Sequence, residues 1–241
     1  MQVSHRADPL HMVQMQFLER DLIRSARKQG IPKTSDDLGY VLHGHLQALF
    51  GELAPKPFLG KARRGRIHVL AYTPSNQETL TEQMSLTAEP ADYRSVQGLA
   101  TKPMPNQWAP GRRLGFEVSV CPIVRDHNLE RDVFLSTLDR VGEGDSEPTR
   151  EEVYAHWLGR KLEGAAKLEA CRLEDFKIGT LFRRHQGRRA GRRRHQIPRL
   201  PVARLTGKLV IEDGEAFAQV LGRGIGRHRA FGFGLLLIRA A

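Results

Sequence analysis

At 241 residues, with 40% apolar residues and a net charge of +11, the chain can form one large or two small folded domains and favours a polyanionic partner, either nucleic acid or an acidic membrane surface. No segment approaches the roughly 20 apolar residues of a membrane helix, and the first ten residues, broken by His5, Arg6 and Asp8, carry no secretory core. Cys121 and Cys171 stand far apart without Cys-x-x-Cys spacing, which argues against a thiolate zinc site and for a reducing cytoplasm, so neither a metal nor a cofactor is expected.

His11 to Leu18 alternates, Val13, Met15 and Phe17 against Met12, Gln14 and Gln16, and reads as a strand. Glu19 to Gln29 is an amphipathic helix with Leu22, Ile23 and Ala26 on one side and Arg20, Arg24 and Arg27 on the other. That basic stripe is either a solvated face or an RNA contact. Gly30-Ile31-Pro32 ends it, and Thr34, Ser35 and Asp36 offer caps for a second helix from Asp37 to Leu53. Leu38, Val41, Leu42, Leu46, Leu49, Phe50 and Leu53 form its apolar stripe, which also contains His45, read as a hydrogen-bonded core histidine. Tyr40, His43 and Gln47 share the opposite face. Tyr40 and His43, one turn apart, can reach a single bound group, and imidazole is the side chain best suited to proton transfer near neutral pH. An exposed histidine is more often merely exposed. His43 and His45 point apart and make a poor metal pair. Arg66 to Thr73 is a strand, Ser75 to Leu86 a helix, and Tyr93 to Ala100 a further strand.

Lys102 to Gly111 holds three prolines and a closing glycine, which sets the expected domains at 1–103 and 112–241 with a linker at 104–111. In the second half, Arg113 to Val124 is a strand with Leu114, Phe116, Val118 and Val120 at period two. Gly142 to Pro148 is a polar loop. Glu151 to Cys171 is read as one helix striped by Tyr154, Trp157, Leu158, Leu162 and Ala165, and Ile178 to Phe182 as a short strand. Then comes "RRHQGRRAGRRR", Arg183 to Arg194, which carries seven of the net eleven positive charges and no acid. It is either a disordered basic segment or an insertion, and Arg184, Arg188 and Arg192, echoed by Arg189 and Arg193, would share one helical face. Val202 to Glu212 is a strand, Glu215 to Leu221 a helix, and Leu235 to Ile238 the last strand. Two successive units of antiparallel flavour indicate an α+β fold.

Between that helix and strand lies "GRGIGRHRAFGFG", Gly222 to Gly234. It lacks the Gly-Lys-Ser/Thr of a phosphate-binding loop, the third glycine of a dinucleotide fingerprint would fall at Arg227, and its helix-to-strand order is reversed, so a nucleotide cofactor is not expected. Its glycines either bring backbone amides close to a phosphate chain or serve a tight connection at positive φ.

Four stretches in the same order, "YVLHGHLQALF", "RLGFEVSVCPIVR", "AHWLGRKL" and "LTGKLVIEDGEAFAQVLGRGIGRHRAFGFGLLLI", resemble the CasE branch of the CRISPR repeat-processing endoribonucleases, with the similarity running from about Gly39 to near the end. The resemblance implies two tandem ferredoxin-like (RRM-like) domains, the second with a basic helical insertion at 183–199. It also implies binding of the hairpin of a CRISPR repeat transcript and cleavage at its 3′ base. Retention on the mature guide RNA beside other effector-complex subunits, in the cytoplasm and away from membranes, completes the implied role. By position, Tyr40 and His43 match the catalytic tyrosine and histidine, and the loop from Gly222 to Gly234, after Asp213 and Phe217, matches the RNA-facing signature. Two departures stand out: Glu19 to Thr34 is longer than the usual connection, and the dense run at Arg183 to Arg194 is similar to the arginine-rich finger of type IV variants, where arginines take a larger catalytic share.

The implied chemistry is metal-independent: the ribose 2′-OH attacks the adjacent phosphate, with His43 as base, Tyr40 orienting the phosphate or sharing proton transfer, and arginines such as Arg20, Arg24 or Arg27 stabilising the transition state. The expected RNA contacts are Arg20, Arg24 and Arg27; Arg183, Arg184, Arg188, Arg189, Arg192, Arg193 and Arg194; and Gly222, Arg223, Gly224, Gly226, Arg227, His228 and Arg229. The rival readings are a non-catalytic RNA-binding subunit of a ribonucleoprotein, a ribosomal-type RNA-binding protein and, more distantly, a binder of anionic membranes.

Overall fold

The computed structural model describes residues 9–28, 38–105, 107–126, 129–142, 146–180, 183–184, 195–196 and 199–241. The first unit comprises β1 (His11–Leu18), α1 (Glu19–Lys28), α2 (Leu38–Phe50), β2 (Phe58–Arg63), β3 (Arg66–Thr73), α3 (Gln77–Thr87), α4 (Pro90–Tyr93) and β4 (Val96–Pro103). Its antiparallel sheet runs β2-β3-β1-β4. β1 takes a central place because its alternation is complete: Val13, Met15 and Phe17 are buried in one core with Leu42, Leu46 and Leu49 of α2, while Gln14 on the other face is exposed. α1 carries Glu19 and Asp21 in its first turn and Arg27 and Lys28 in its last, matching the helix dipole. The expected caps of α2, Thr34, Ser35 and Asp36, lie outside the described residues.

The second unit comprises β5 (Arg113–Val120), β6 (Ile123–Asp126), β7 (Leu129–Asp132), α5 (Val133–Leu138), α6 (Arg150–Leu162), β8 (Ala166–Thr180), β9 (Arg183–Arg184), β10 (His195–Gln196), β11 (Arg199–Ile211), α7 (Gly214–Arg223) and β12 (Leu237–Ala240). The main sheet runs β12-β5-β11-β8, and β6 pairs with β7 as a separate hairpin. Across each main sheet the strands stand in the order second, third, first, fourth along a βαββαβ chain, so both units are ferredoxin-like.

Several elements differ from the sequence expectations: β2, β6, β7, α4 and α5 carry no expected counterpart of their own, and three expected elements change form. α6 opens on a capping box, Thr149 with Glu152, but ends at Leu162; Gly164 turns the chain at φ 77°, and from Ala166 it is the long edge strand β8, not helix. The charges of β8 fall at spacings that either structure accommodates, and the short strand expected from Ile178 is the end of β8. The strand expected over Arg113–Val124 breaks at Cys121-Pro122, because Pro122 has no N–H for the ladder; its carbonyl accepts from Val133 N at 3.0 Å instead. The insertion enters and leaves as strand: Arg183–Arg184 pairs antiparallel with His195–Gln196, extended where a helix was expected. Arg188, Arg189, Arg192, Arg193 and Arg194 lie outside the described residues.

The helix-free face of the first sheet is closed at one end by the second unit. Tyr72 of β3 is buried in the second unit's core, and its hydroxyl donates to the Leu236 carbonyl at 3.1 Å, with Met12, Leu59 and Leu70 packed alongside. Burial holds the Tyr72 phenol far above its ordinary pKa, so it serves as a neutral donor. Among the described residues no helix is long and apolar enough to cross a membrane.

Candidate active site

α2 separates its two histidines by burial. His45 is fully buried: Nδ1 lies 3.1 Å from the Ser25 hydroxyl and Nε2 2.8 Å from the Ser95 hydroxyl. Ser95 donates its own proton to the Asp92 carbonyl (2.6 Å), which assigns the ring proton to Nε2 and makes Nδ1 the acceptor from Ser25. Burial, the largest influence, lowers the His45 pKa, and the ring is neutral. It is the core histidine that the apolar stripe indicates.

Tyr40 and His43 lie on the other side of the helix, against the glycine loop of the second unit. The 3-10 turn Arg229–Phe231 brings Phe231 to both: its ring stacks on Tyr40 (centroids 5.9 Å apart, planes 8° apart) and meets His43 edge-on at 5.0 Å. Gly39 makes this approach possible, since a Cβ there would stand 2.0 Å from the Phe231 carbonyl oxygen. The catalytic candidates and the glycine loop, far apart in sequence, therefore form one site.

The loop's glycines serve mainly its own path. Gly224, Gly226, Gly232 and Gly234 all take positive φ, between 73° and 88°. A side chain on Gly224 would strike Pro57, and one on Gly226 would crowd Trp157. His228 adopts the left-handed conformation (φ 61°) and is held there by Glu130 of β7, whose Oε2 lies 3.1 Å from His228 Nε2; Arg227 Nε donates to Oε1, also at 3.1 Å.

Beside the loop lies an open cleft of about 840 Å³ lined by Lys56, Arg223, Arg227, His228, Arg229 and Phe231, among others. Gly222 and Gly226 also line it; Gly224 faces Pro57 instead. Arg223 is steadied by Gln219 (2.9 Å). His43 is half-buried, and its pKa is lowered first by burial and then by the positive charge of Lys56. A neutral imidazole under the charge of Lys56, which lines the arginine-rimmed cleft, is a proton acceptor near a surface suited to stabilising phosphate charge. Among the described residues no group of three or more His, Cys, Asp or Glu is placed to hold a metal ion.

The structure thus brings Tyr40 and His43 against Phe231 of the loop, while Gly222, Arg223, Gly226, Arg227, His228 and Arg229 line the adjoining cleft, whose described lining includes Lys56 and Phe231 but neither Tyr40 nor His43. The α1 arginines are not among the described residues that line this cleft; Arg20, Arg24 and Arg27 are exposed on their helix, with Asp21 3.8 Å from Arg20 and 3.5 Å from Arg24. Sequence reasoning missed Gly39, Lys56, Glu130 and Phe231. Only Phe231, an aromatic set between glycine turns, carried a readable signal; Gly39 matters through its contact with the second unit, and Lys56 and Glu130 through tertiary contacts inside their own units.

The sequence pattern of the family described as "CRISPR associated protein" matches residues 16–240. No curated protein sequence matches the chain. Among solved structures, it is similar to CRISPR endoribonuclease Cse3 bound to 19 nt RNA (21% identity, TM-score 0.62, 97% of this chain and 100% of that one). It is also similar to Thermus thermophilus Cse3 bound to an RNA representing a pre-cleavage complex (19%, 0.58, 96% and 99%). A chain of a CRISPR RNA-guided surveillance complex is similar as well (17%, 0.56, 95% and 100%). At these identities the likeness establishes the fold.

Proposed function

This chain belongs to the CRISPR-associated protein family, and on that premise we propose that it is a CasE-type endoribonuclease that matures guide RNA. It binds the hairpin of a CRISPR repeat transcript in the cytoplasm, cuts at the 3′ base, and stays on the product as a subunit of the effector complex. The observation that carries this reading is the neutral, half-buried His43, fixed against Phe231 of the glycine loop and under the charge of Lys56, two residues that line a cleft rimmed by arginines. The solved relatives support it: their names record an endoribonuclease bound to RNA, a pre-cleavage complex and a surveillance complex.

In this reading His43 takes the proton of the ribose 2′-OH, whose oxygen forms a bond to the adjacent phosphorus. The bond from phosphorus to the 5′ oxygen breaks, and that oxygen takes a proton from Tyr40 or from the imidazolium just formed. The products are a 2′,3′-cyclic phosphate and a 5′-OH. Lys56, Arg227 and Arg229 stabilise the pentacoordinate charge, a role the sequence had placed on α1. Stem recognition rests on phosphates and shape, since an A-form major groove is too narrow for side chains to read. The arginines from 183 to 194 supply those contacts, as an arginine-rich finger of the type IV kind. Residues 1–103 and 112–241 act as the two domains, joined by 104–111.

The test is incubation of pure protein with labelled repeat RNA in EDTA. A single new end with a cyclic phosphate is expected, and His43→Ala should slow cutting by ~10²–10⁴-fold while still retaining the RNA. Retention without any cut would instead leave a non-catalytic RNA-binding subunit, and no retention would end the RNA reading.

A further inference from the structure

The β2–β3 hairpin carries a second cationic surface that the cleft does not use. Residues 61 to 66 read Lys-Ala-Arg-Arg-Gly-Arg, and all six are exposed. Strand alternation puts Lys61, Arg63, Arg66 and His68 on the helix-free face of the first sheet, because Ile67 and Val69 between them point into the core. On the same face, Leu70 and Tyr72 are covered by the second unit, so the cationic end is the part left open. Gln16 of β1 stands opposite His68, and Leu18 opposite Arg66. The turn itself rests on the start of α1, where Glu19 N donates to the Gly65 carbonyl at 3.1 Å, and the exposed Arg20 and Arg24 extend the positive surface.

Two local rules are broken here without compensation. Arg63 and Arg66 face each other directly across the strand pair, where like charges repel. Arg64 occupies a left-handed position (φ 52°) in a turn that favours asparagine or glycine. Lys61 reaches Glu117 at 3.5 Å, but among the described residues no ion pair involves Arg63, Arg64 or Arg66. Such departures with no packing gain are characteristic of functional surfaces.

We propose that this hairpin tip and the open end of the sheet beside it bind the phosphate backbone of single-stranded RNA flanking the hairpin that the cleft processes. The inference rests on the RNA-processing reading above. β2 supplies the path: Lys56 lines the cleft just before the strand, Arg63 ends it, and the two are separated by roughly 20 Å of extended chain. The surface does not fit a protein partner, since none of the exposed large apolar residues lies on this hairpin to serve as a buried anchor. The open end offers guanidinium, amide and imidazole donors but no Phe, Tyr or Trp for base stacking, so binding there is by backbone and independent of sequence.

The experiment compares two RNAs, the repeat hairpin alone and the same hairpin with a 5′ single-stranded extension, over a salt series. The proteins are wild type, the triple variant Arg63→Gln/Arg64→Asn/Arg66→Gln, and a charge control, Arg160→Gln/Lys161→Gln/Lys167→Gln; thermal melts confirm folding. Wild type and control should bind the extended RNA more tightly and with a steeper salt slope than the hairpin. The triple variant should lose that advantage, with a slope flatter by about 2, or roughly 16-fold in affinity across a fourfold change in salt, and its hairpin binding should be unchanged. The proposal is overturned if the advantage survives in the triple variant, if the control loses it equally, or if wild type retains the hairpin but gains nothing from the extension. Failure to retain the hairpin at all would instead sink the RNA-processing reading itself.

Discussion

Replacing Gly39 with alanine should uncouple chemistry from binding. The new methyl carbon would stand 2.0 Å from the Phe231 carbonyl oxygen, against the 3.0 Å that real side chains keep. The oxygen is backbone and cannot rotate away, so α2 and the turn Arg229–Phe231 must part by about 1 Å. A misplacement of about 1 Å costs on the order of 100-fold in rate when reacting groups must meet. The fold should survive, because the overpacking cost of about 1–3 kcal/mol is partly offset by alanine's better helix propensity, about 1 kcal/mol. Single-turnover cleavage of repeat RNA, a filter-binding titration and a thermal melt together read the outcome. The expected result is a folded protein with nearly unchanged RNA retention and a rate lower by ~100-fold. A folded variant that cuts at the wild-type rate would show that the contact between α2 and the loop does not position the catalytic groups.

Other perturbations probe separate parts of the account. Because burial and Lys56 both lower the His43 pKa, the acid limb of the rate profile should lie below 6.5, and Lys56→Gln should move it to higher pH; an unmoved limb would dissociate Lys56 from the base. His45 titrates below 6.5 in the folded state, so its contribution is intact above the unfolded value and declines as pH falls through it. Melting temperature should therefore drop on acidification, and His45→Ala, which leaves a cavity and removes the ring's hydrogen bonds to Ser25 and Ser95, should cost about 2–4 kcal/mol by denaturant titration. Substituting alanine for Arg188, Arg189, Arg192 and Arg193 should flatten the salt slope of hairpin binding by about 0.7–0.9 per lost phosphate contact; an unchanged slope would mean that these arginines are idle.

Legibility in the sequence follows from how local each signal is. β3 occupies the span expected from its alternation, and His45 is buried as the apolar stripe of α2 requires, because both follow from side-chain period alone. β2 carries no readable strand signal because Lys61 and Arg63 interrupt its apolar pattern and its turn, Arg64-Gly65, lacks the Asn-Gly signal. The start of β8, Ala166 to Cys171, reads as a continuation of the preceding helix because an edge strand can carry charges at spacings a helix also accepts. At the site, Tyr40, His43 and the loop arginines were legible as residue types in a motif. Phe231 against His43 and Gly39 beneath Phe231 were not, since each joins residues that only the docking of the two units brings together; Glu130 on His228, within the second unit, and Lys56 beside His43, within the first, depend on the tertiary folding of their own unit, which side-chain period does not report.

The central claim, that a sugar hydroxyl activated by His43 breaks the chain, is tested most directly by placing one 2′-deoxy nucleotide at the cleavage position of the repeat hairpin. The modified RNA should bind wild-type protein as the all-ribose form does and remain whole. Scission of that RNA at the same position would contradict the account.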